Sequence, residues 1–149
     1  IIVVSSAPQI RYPDCYGIDM AKLEEFIAFR AALKLHEDRG TKEKIVKDVY
    51  QNCLNALENE LESPENYVKE IYKPFSDEEI SHKISQMLKT NDRNAEIEVI
   101  FQTIDGLNKA CPKNQGDWYF SRNYPTPGGC RVVNNAFVNF VEKKNKRAY

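Results

Sequence analysis

IIVVSSAPQIRYPDCYGIDM, residues 1–20, opens the chain with four consecutive β-branched residues, and the reading of those four governs the fold. Ile1–Val4 shows no alternation of apolar and polar letters. Such a run reads as a strand buried on both faces, the kind found inside a parallel sheet. A strand of that kind cannot satisfy its own backbone N–H and C=O groups and needs neighbours. Ser5, Ser6, Ala7 and Pro8 then break the run, and a second extended piece, Gln9–Tyr12, ends at Pro13.

Helical spacing dominates the rest. Asp19 is placed to cap a helix with Leu23, Phe26, Ile27 and Ala31 on one face, and Gly40 ends it. Thr41 caps a second helix, in which Ile45, Val49, Cys53, Leu57 and Leu61 recur every four residues. Ser63 and Pro64 begin a shorter one carrying Val68, Ile71 and Tyr72. Ser76 with Glu79 forms a capping box ahead of Ile80, Ile84, Met87 and Leu88. Beyond the polar stretch Lys89–Ala95, the letters Ile97, Ile100, Phe101, Ile104, Leu107 and Cys111 fit an amphipathic helix, which Gly106 weakens by about 1 kcal/mol relative to alanine. Cys111–Gly129 reads as irregular surface chain, Val132–Val141 as a last helix, and the tail EKKNKRAY as fraying. The expected fold is mainly α, five or six helices with one short N-terminal strand whose sheet partners the chain does not supply.

Composition excludes more than it assigns. The 149 residues suffice for one ordinary domain, and 21 basic against 22 acidic side chains argue against nucleic-acid binding by bulk charge. No apolar run approaches the roughly 20 residues that cross a bilayer, so a soluble, cytoplasmic chain without membrane partners is expected. Cys15, Cys53, Cys111 and Cys130 are widely spaced and make no CxxC, which favours scattered thiols over a metal site.

Candidate chemistry is sparse. His36 and His82 lie in charged helical stretches and read as solvated surface histidines, with no serine or cysteine at a nucleophile spacing. Asp38-Arg39-Gly40-Thr41 contains the letters of a phosphate loop, yet it follows a helix rather than a strand and reads as a helix-to-helix turn. The aromatics of GDWYFSRNYPTPGG, residues 116–129, read as loop anchors in preference to a stacking platform, and Arg122 with Arg131 offers a weak anion site.

Three groups of letters carry a resemblance. Ala7-Pro8-Gln9-Ile10-Arg11, Tyr16-Gly17-Ile18-Asp19-Met20 and Glu25-Phe26-Ile27-Ala28 resemble, in order, the APxIRxP, YGIDM and ELIA stretches of the glutamine-dependent amidophosphoribosyltransferase family. FSRNYPT, residues 120–126, resembles that family's FTGxYPT. The close matches cover about a quarter of the chain. The resemblance implies a longer parent enzyme. An N-terminal glutaminase domain releases ammonia from glutamine, and a type I phosphoribosyltransferase domain adds it to phosphoribosyl pyrophosphate with magnesium. The products are phosphoribosylamine, glutamate and pyrophosphate, and the reaction opens purine biosynthesis.

On that reading residues 1–40 are the end of the phosphoribosyltransferase α/β domain, with the short strand left over from its sheet, and residues 41–149 are a C-terminal helical extension. No catalytic residue falls in the chain, and the fragment alone is expected to be inactive. Ser5, Ser6, Ala7 and Pro8 would face the crevice beyond the strand's carboxyl end. Asp19 and Phe26 would lie near that crevice or the ammonia channel, with a helix cap and core packing as their plain alternatives. Implied partners are the upstream parts of the same polypeptide, phosphoribosyl pyrophosphate, glutamine, purine nucleotides and further copies in a homo-oligomer. Some family members hold an iron–sulfur cluster, but Asp14, Gly116 and Tyr119 stand where its cysteines would be and Cys15 is displaced by one, so no cluster is expected. A freestanding helical interaction module that binds a partner through YPTP is the alternative, and a redox or metal protein ranks last.

Overall fold

The structure, a computed structural model, describes residues 1–14, 20–59, 65–89, 96–113, 116, 118–123 and 127–148. Among them the chain is mainly helical, with a two-stranded parallel sheet. Strand β1 is Ile2–Ser5, and β2 is Glu98–Phe101. The helices are α1 Ile27–Asp38, α2 Lys42–Glu58, α3 Lys69–Tyr72, α4 Asp77–Leu88, α5 Ile104–Ala110, α6 Trp118–Ser121 and α7 Pro127–Val141. Five or six helices are expected from the sequence; a helix lies in each of the six expected stretches, the fifth shortened at its start, and the short α6 is additional, lying with the start of α7 in the stretch read as irregular.

Two helix pairs build the core. α1 packs on α4 and α2 on α7, and Leu23, Phe29, Ile80, Ile84, Val133 and Phe137 belong to one continuous apolar cluster. Phe29 stands edge-on to Phe137 and Phe140, with ring centroids 6.2 and 5.0 Å apart. That geometry favours the positive ring edge against the negative face. Residues on both sides of position 40 share this cluster.

Local signals set several helix ends where the letters place them. Ser76 accepts from the Glu79 N–H at 3.1 Å, and the Glu79 carboxylate accepts from the Ser76 N–H at 2.9 Å, completing the capping box at α4. Gly40 adopts φ +68° after α1, where a side chain would be strained, and the Asp38–Thr41 stretch is the helix-to-helix turn. The first helix begins later than Asp19 suggests. A single 3-10 turn, Leu23–Glu25, leads to α1 with Phe26 at its N-cap, and Asp19 itself lies outside the described residues.

The sheet departs from expectation. β1 has a partner in this chain: it pairs in parallel with β2, Ile2 opposite Glu98 and Ser5 opposite Phe101. Residues 97–103 are therefore not the first turns of a helix. Helix α5 starts only at Ile104, after Thr103 caps it by accepting from the Gly106 N–H at 2.9 Å. Ile97, Ile100, Phe101 and Ile104 satisfy a helical period, but β-branched EIEVIF also suits a strand, and a partner near residue 3 decides between them. β1 is also not buried: Ile2 is 66% exposed and Val4 70%, because none of the described elements covers it on either face.

Candidate functional site

Beyond the carboxyl ends of β1 and β2 lies an apolar cleft of about 340 Å³. Ser5, Ala7 and Pro8 form one wall, Phe26 and Ile27 another, and Phe101 at the end of β2 a third. Ile10 and Met20 add apolar surface. Four of the six residues singled out in the sequence thus meet in one place. Ser6 is exposed and does not line the cleft, and Asp19 lies outside the described residues.

The wall at Ser5–Pro8 is shaped by its own side chains. The Ser5 hydroxyl donates to the Ala7 carbonyl at 3.0 Å and accepts from the Ala7 N–H at 3.2 Å, a tight serine turn that ends the strand. Gln9, nearly buried, donates to the Asp77 carbonyl and the Ser81 hydroxyl, both at 2.8 Å. Its side-chain Oε1 accepts from the Arg11 guanidinium at 2.7 and 3.1 Å, and Arg11 pairs with the Asp77 carboxylate. Tyr72 donates to the Arg11 carbonyl at 2.6 Å while Arg11 lies over its ring. The APQIR stretch is therefore clamped to the start of α4 and to α3. Gln9 and Arg11 do this work, and both were legible in the motif but carried no role in the sequence reading.

Phe26 is buried at the N-cap of α1, with its ring in the cleft wall. Among the described residues no histidine or cysteine lines the cleft. Glu25 and Gln9 also line it. A larger open groove, about 850 Å³, runs along α4 and the outer side of β2 past His82, Ser85 and Gln86. Within it Ser85 accepts from the Val99 N–H at 2.9 Å, and Gln86 and His82 are 2.9 Å apart.

The remaining candidates are placed differently from their sequence reading. His36 is not a solvated surface residue but is buried at 3% exposure, between Thr41 Oγ1 at 2.9 Å and the Ile71 carbonyl at 2.8 Å, with the Phe75 ring against it. His82 is exposed as expected. Arg122 is not exposed beside Arg131. It is 1% exposed, with its guanidinium 5.0 Å from the ring centroids of both Tyr12 and Tyr119, while Arg131 is exposed. That arrangement removes the anion-site reading and makes Arg122 a link between Tyr12 of the opening segment and Tyr119 of α6. Tyr124, Pro125 and Thr126 of the YPTP loop lie outside the described residues.

Cys53 is buried, with its thiol donating toward Asn134 Oδ1 at 3.6 Å, and burial pushes that thiol up to about 12. Cys111 is exposed, Cys130 half-buried, and Cys15 outside the described residues. Among the described residues no three His, Cys, Asp or Glu side chains are grouped to hold a metal ion, and no helix is long and apolar enough to cross a membrane.

The tail does not fray as its charge suggests. Ala148 is buried and its carbonyl accepts from Asn135 at 2.6 Å, and Lys143 at φ +55° turns the chain back along α7. Comparison of the chain with protein-family models, with curated proteins and with solved structures finds no match.

Proposed function

We propose that this chain is the C-terminal part of a glutamine-dependent amidophosphoribosyltransferase, comprising the end of a type I phosphoribosyltransferase domain and a helical extension. The observation that supports the reading is the convergence of Ser5, Ala7, Pro8 and Phe26 on one apolar cleft beyond the carboxyl ends of a parallel strand pair. In open α/β sheets that is where ligands bind. An apolar wall beside such a crevice suits ammonia in transit, since a neutral molecule crosses it while water and protons are held out.

In the parent enzyme glutamine is hydrolysed to glutamate and ammonia, and ammonia displaces pyrophosphate from phosphoribosyl pyrophosphate to give phosphoribosylamine. The chain's own part is to finish the sheet and to seal the crevice. The glutaminase nucleophile, the sugar-phosphate loop and the residues that hold magnesium belong to the upstream polypeptide, as does the binding of glutamine. Purine nucleotides as regulators, a homo-oligomer and a cytoplasmic location come with the same proposal.

The test compares the isolated chain with the longer polypeptide that carries it. The isolated chain is expected to form no phosphoribosylamine and no glutamate, whereas the longer polypeptide forms both with magnesium present. Synthesis by the isolated chain, or its absence from a folded longer polypeptide, would refute the reading.

A further inference from the structure

Gln9 stands in the wall between the two cavities: with Phe101 it lines both the apolar cleft and the groove along α4. It is 5% exposed, and its amide can sit only one way round. The Asp77 carbonyl has no proton to give and the Arg11 guanidinium has no lone pair to offer, so Nε2 faces α4 and Oε1 faces Arg11. The Ser81 hydroxyl completes the α4 side, accepting from Nε2 while donating to the Asp77 carbonyl at 2.8 Å. A carboxylate at position 9 would keep the Arg11 tie but turn an oxygen toward the Asp77 carbonyl, with no proton to donate there.

The chain between β1 and this anchor is short. Ser5 is fixed to β2, its carbonyl accepting from the Gln102 N–H at 3.2 Å, and only Ser6, Ala7 and Pro8 lie between it and Gln9. The Ser5–Ala7 bonds hold the turn, and the Pro8 ring fixes its own φ. The place of that turn is thus set from two ends, by β2 through Ser5 and by α4 through Gln9. Phe26, in the facing wall, sits at the N-cap of α1, and α1 also packs on α4. Both walls of the cleft therefore take their position from α4.

We propose that Gln9 is a positioning residue: through its Nε2 bonds to α4 it sets how far the Ser5–Pro8 wall stands from Phe26. The proposal rests on the reading of the cleft as part of an ammonia path, in which the spacing of the walls decides whether a neutral molecule passes while water is held out. Gln9 acts through the wall and not on the reacting atoms. Its effect falls on ammonia released within the enzyme more than on ammonia supplied from solution, and a displacement of about 1 Å can cost as much as about a hundredfold in rate.

Gln9→Glu tests this, with Ser81→Ala as a milder variant that removes one acceptor of the same amide. In the 149-residue chain Gln9→Glu is expected to shift the resonances of the Phe26 ring and the Ile27 methyls, in the facing wall, while those of Val49 and Val133 elsewhere in the core stay in place. Ser81→Ala is expected to shift the same resonances by less. In the longer polypeptide, Gln9→Glu lowers glutamine-dependent synthesis about fivefold further than synthesis from added ammonia. Unmoved Phe26 and Ile27 resonances in the folded variant would overturn the proposal. So would equal loss of the two rates, the signature of a residue that serves stability alone. Should Gln9→Glu not fold, Ser81→Ala decides on the same resonances. These shifts need no activity: shifted Phe26 and Ile27 resonances beside a longer polypeptide that makes no phosphoribosylamine would sink the proposed function and leave Gln9 as the residue that places the wall.

Discussion

His36 donates from Nε2 to the carbonyl oxygen of Ile71 at 2.8 Å, a bond that can run in only one direction because the carbonyl has no proton to give. Nδ1 then faces Thr41 Oγ1 at 2.9 Å, and the Phe75 ring stands edge-on at 4.6 Å. One imidazole thus ties α1 to the start of α2 and to α3. His36→Phe fills the space but leaves the buried Ile71 carbonyl unpaired, and is expected to destabilise the chain by about 2 kcal/mol. Urea denaturation of the variant checks it, and an unchanged midpoint would contradict the clasp.

Phe26 closes the cleft from the α1 side. Phe26→Ala opens that wall and leaves a cavity, with an expected loss of about 3 kcal/mol by denaturant unfolding. On the proposed reading of the chain as part of an amidophosphoribosyltransferase, the more telling readout is the ratio of two rates in the longer polypeptide. Glutamine-dependent synthesis is expected to fall at least fivefold further than synthesis from added ammonia, because ammonia released internally escapes. Equal losses would leave Phe26 a packing residue only.

Stability is expected to fall at both ends of the pH scale for separate reasons. Hydrogen bonds from Lys34 to Glu37, from Lys83 to Asp38 and from Lys144 to Glu142 hold those carboxyls below their ordinary values. Carboxyls lowered in this way stabilise the fold above their unfolded values of 4.5 and 3.8, and the contribution is lost as pH falls through the lowered ones. All three are exposed, so the acid loss is small and salt-sensitive.

At the alkaline end burial raises Cys53 from 9.0 to about 12 and lifts Tyr72 well above 10.0. The unfolded chain then loses protons first, so stability is complete below about pH 9 and declines as pH rises toward the folded values. Cys53→Ala is expected to shift the onset of that decline from about 9 toward 10, where Tyr72 begins to act. Urea midpoints measured at pH 7, 9 and 10 would show it. An onset unmoved by the substitution would rule out the thiol.

Gly106 looks improvable by helix propensity alone, which assigns about 1 kcal/mol to alanine over glycine. A Cβ at that position would stand 2.9 Å from Thr103 Oγ1, the atom that caps α5, and would also crowd the Gln102 amide. Gly106→Ala is therefore expected to lose about as much at the cap, roughly 1 kcal/mol, as it gains. A thermal melt unchanged within a degree or two is the anticipated result, and a clear rise would show that the cap yields.

Legibility in the sequence followed the range of the interaction. The Ser76–Glu79 capping box and the Gly40 turn were readable because every atom involved lies within a few residues. β2 was not. Residues 97–104 satisfy a helical period, and what makes Glu98–Phe101 a strand is a neighbour beside Ile2–Ser5. The site shows the same division. Ser5, Ala7, Pro8 and Phe26 could be named from motif letters, but the roles of Gln9 and Arg11 depend on Asp77, Ser81 and Tyr72, which come together only when α3 and α4 pack.

By itself the sequence determined a mainly helical chain opened by a β-branched strand, together with the turn that ends that strand and most helix faces. Only the tertiary structure decided that β1 has a parallel partner, that His36 and Arg122 are interior, and that Ser85 of α4 bonds the Val99 N–H of β2. The reason is physical. Caps, turns and apolar periodicity act through neighbouring residues, whereas strand pairing and the burial of a polar side chain depend on which distant groups arrive to satisfy its hydrogen bonds.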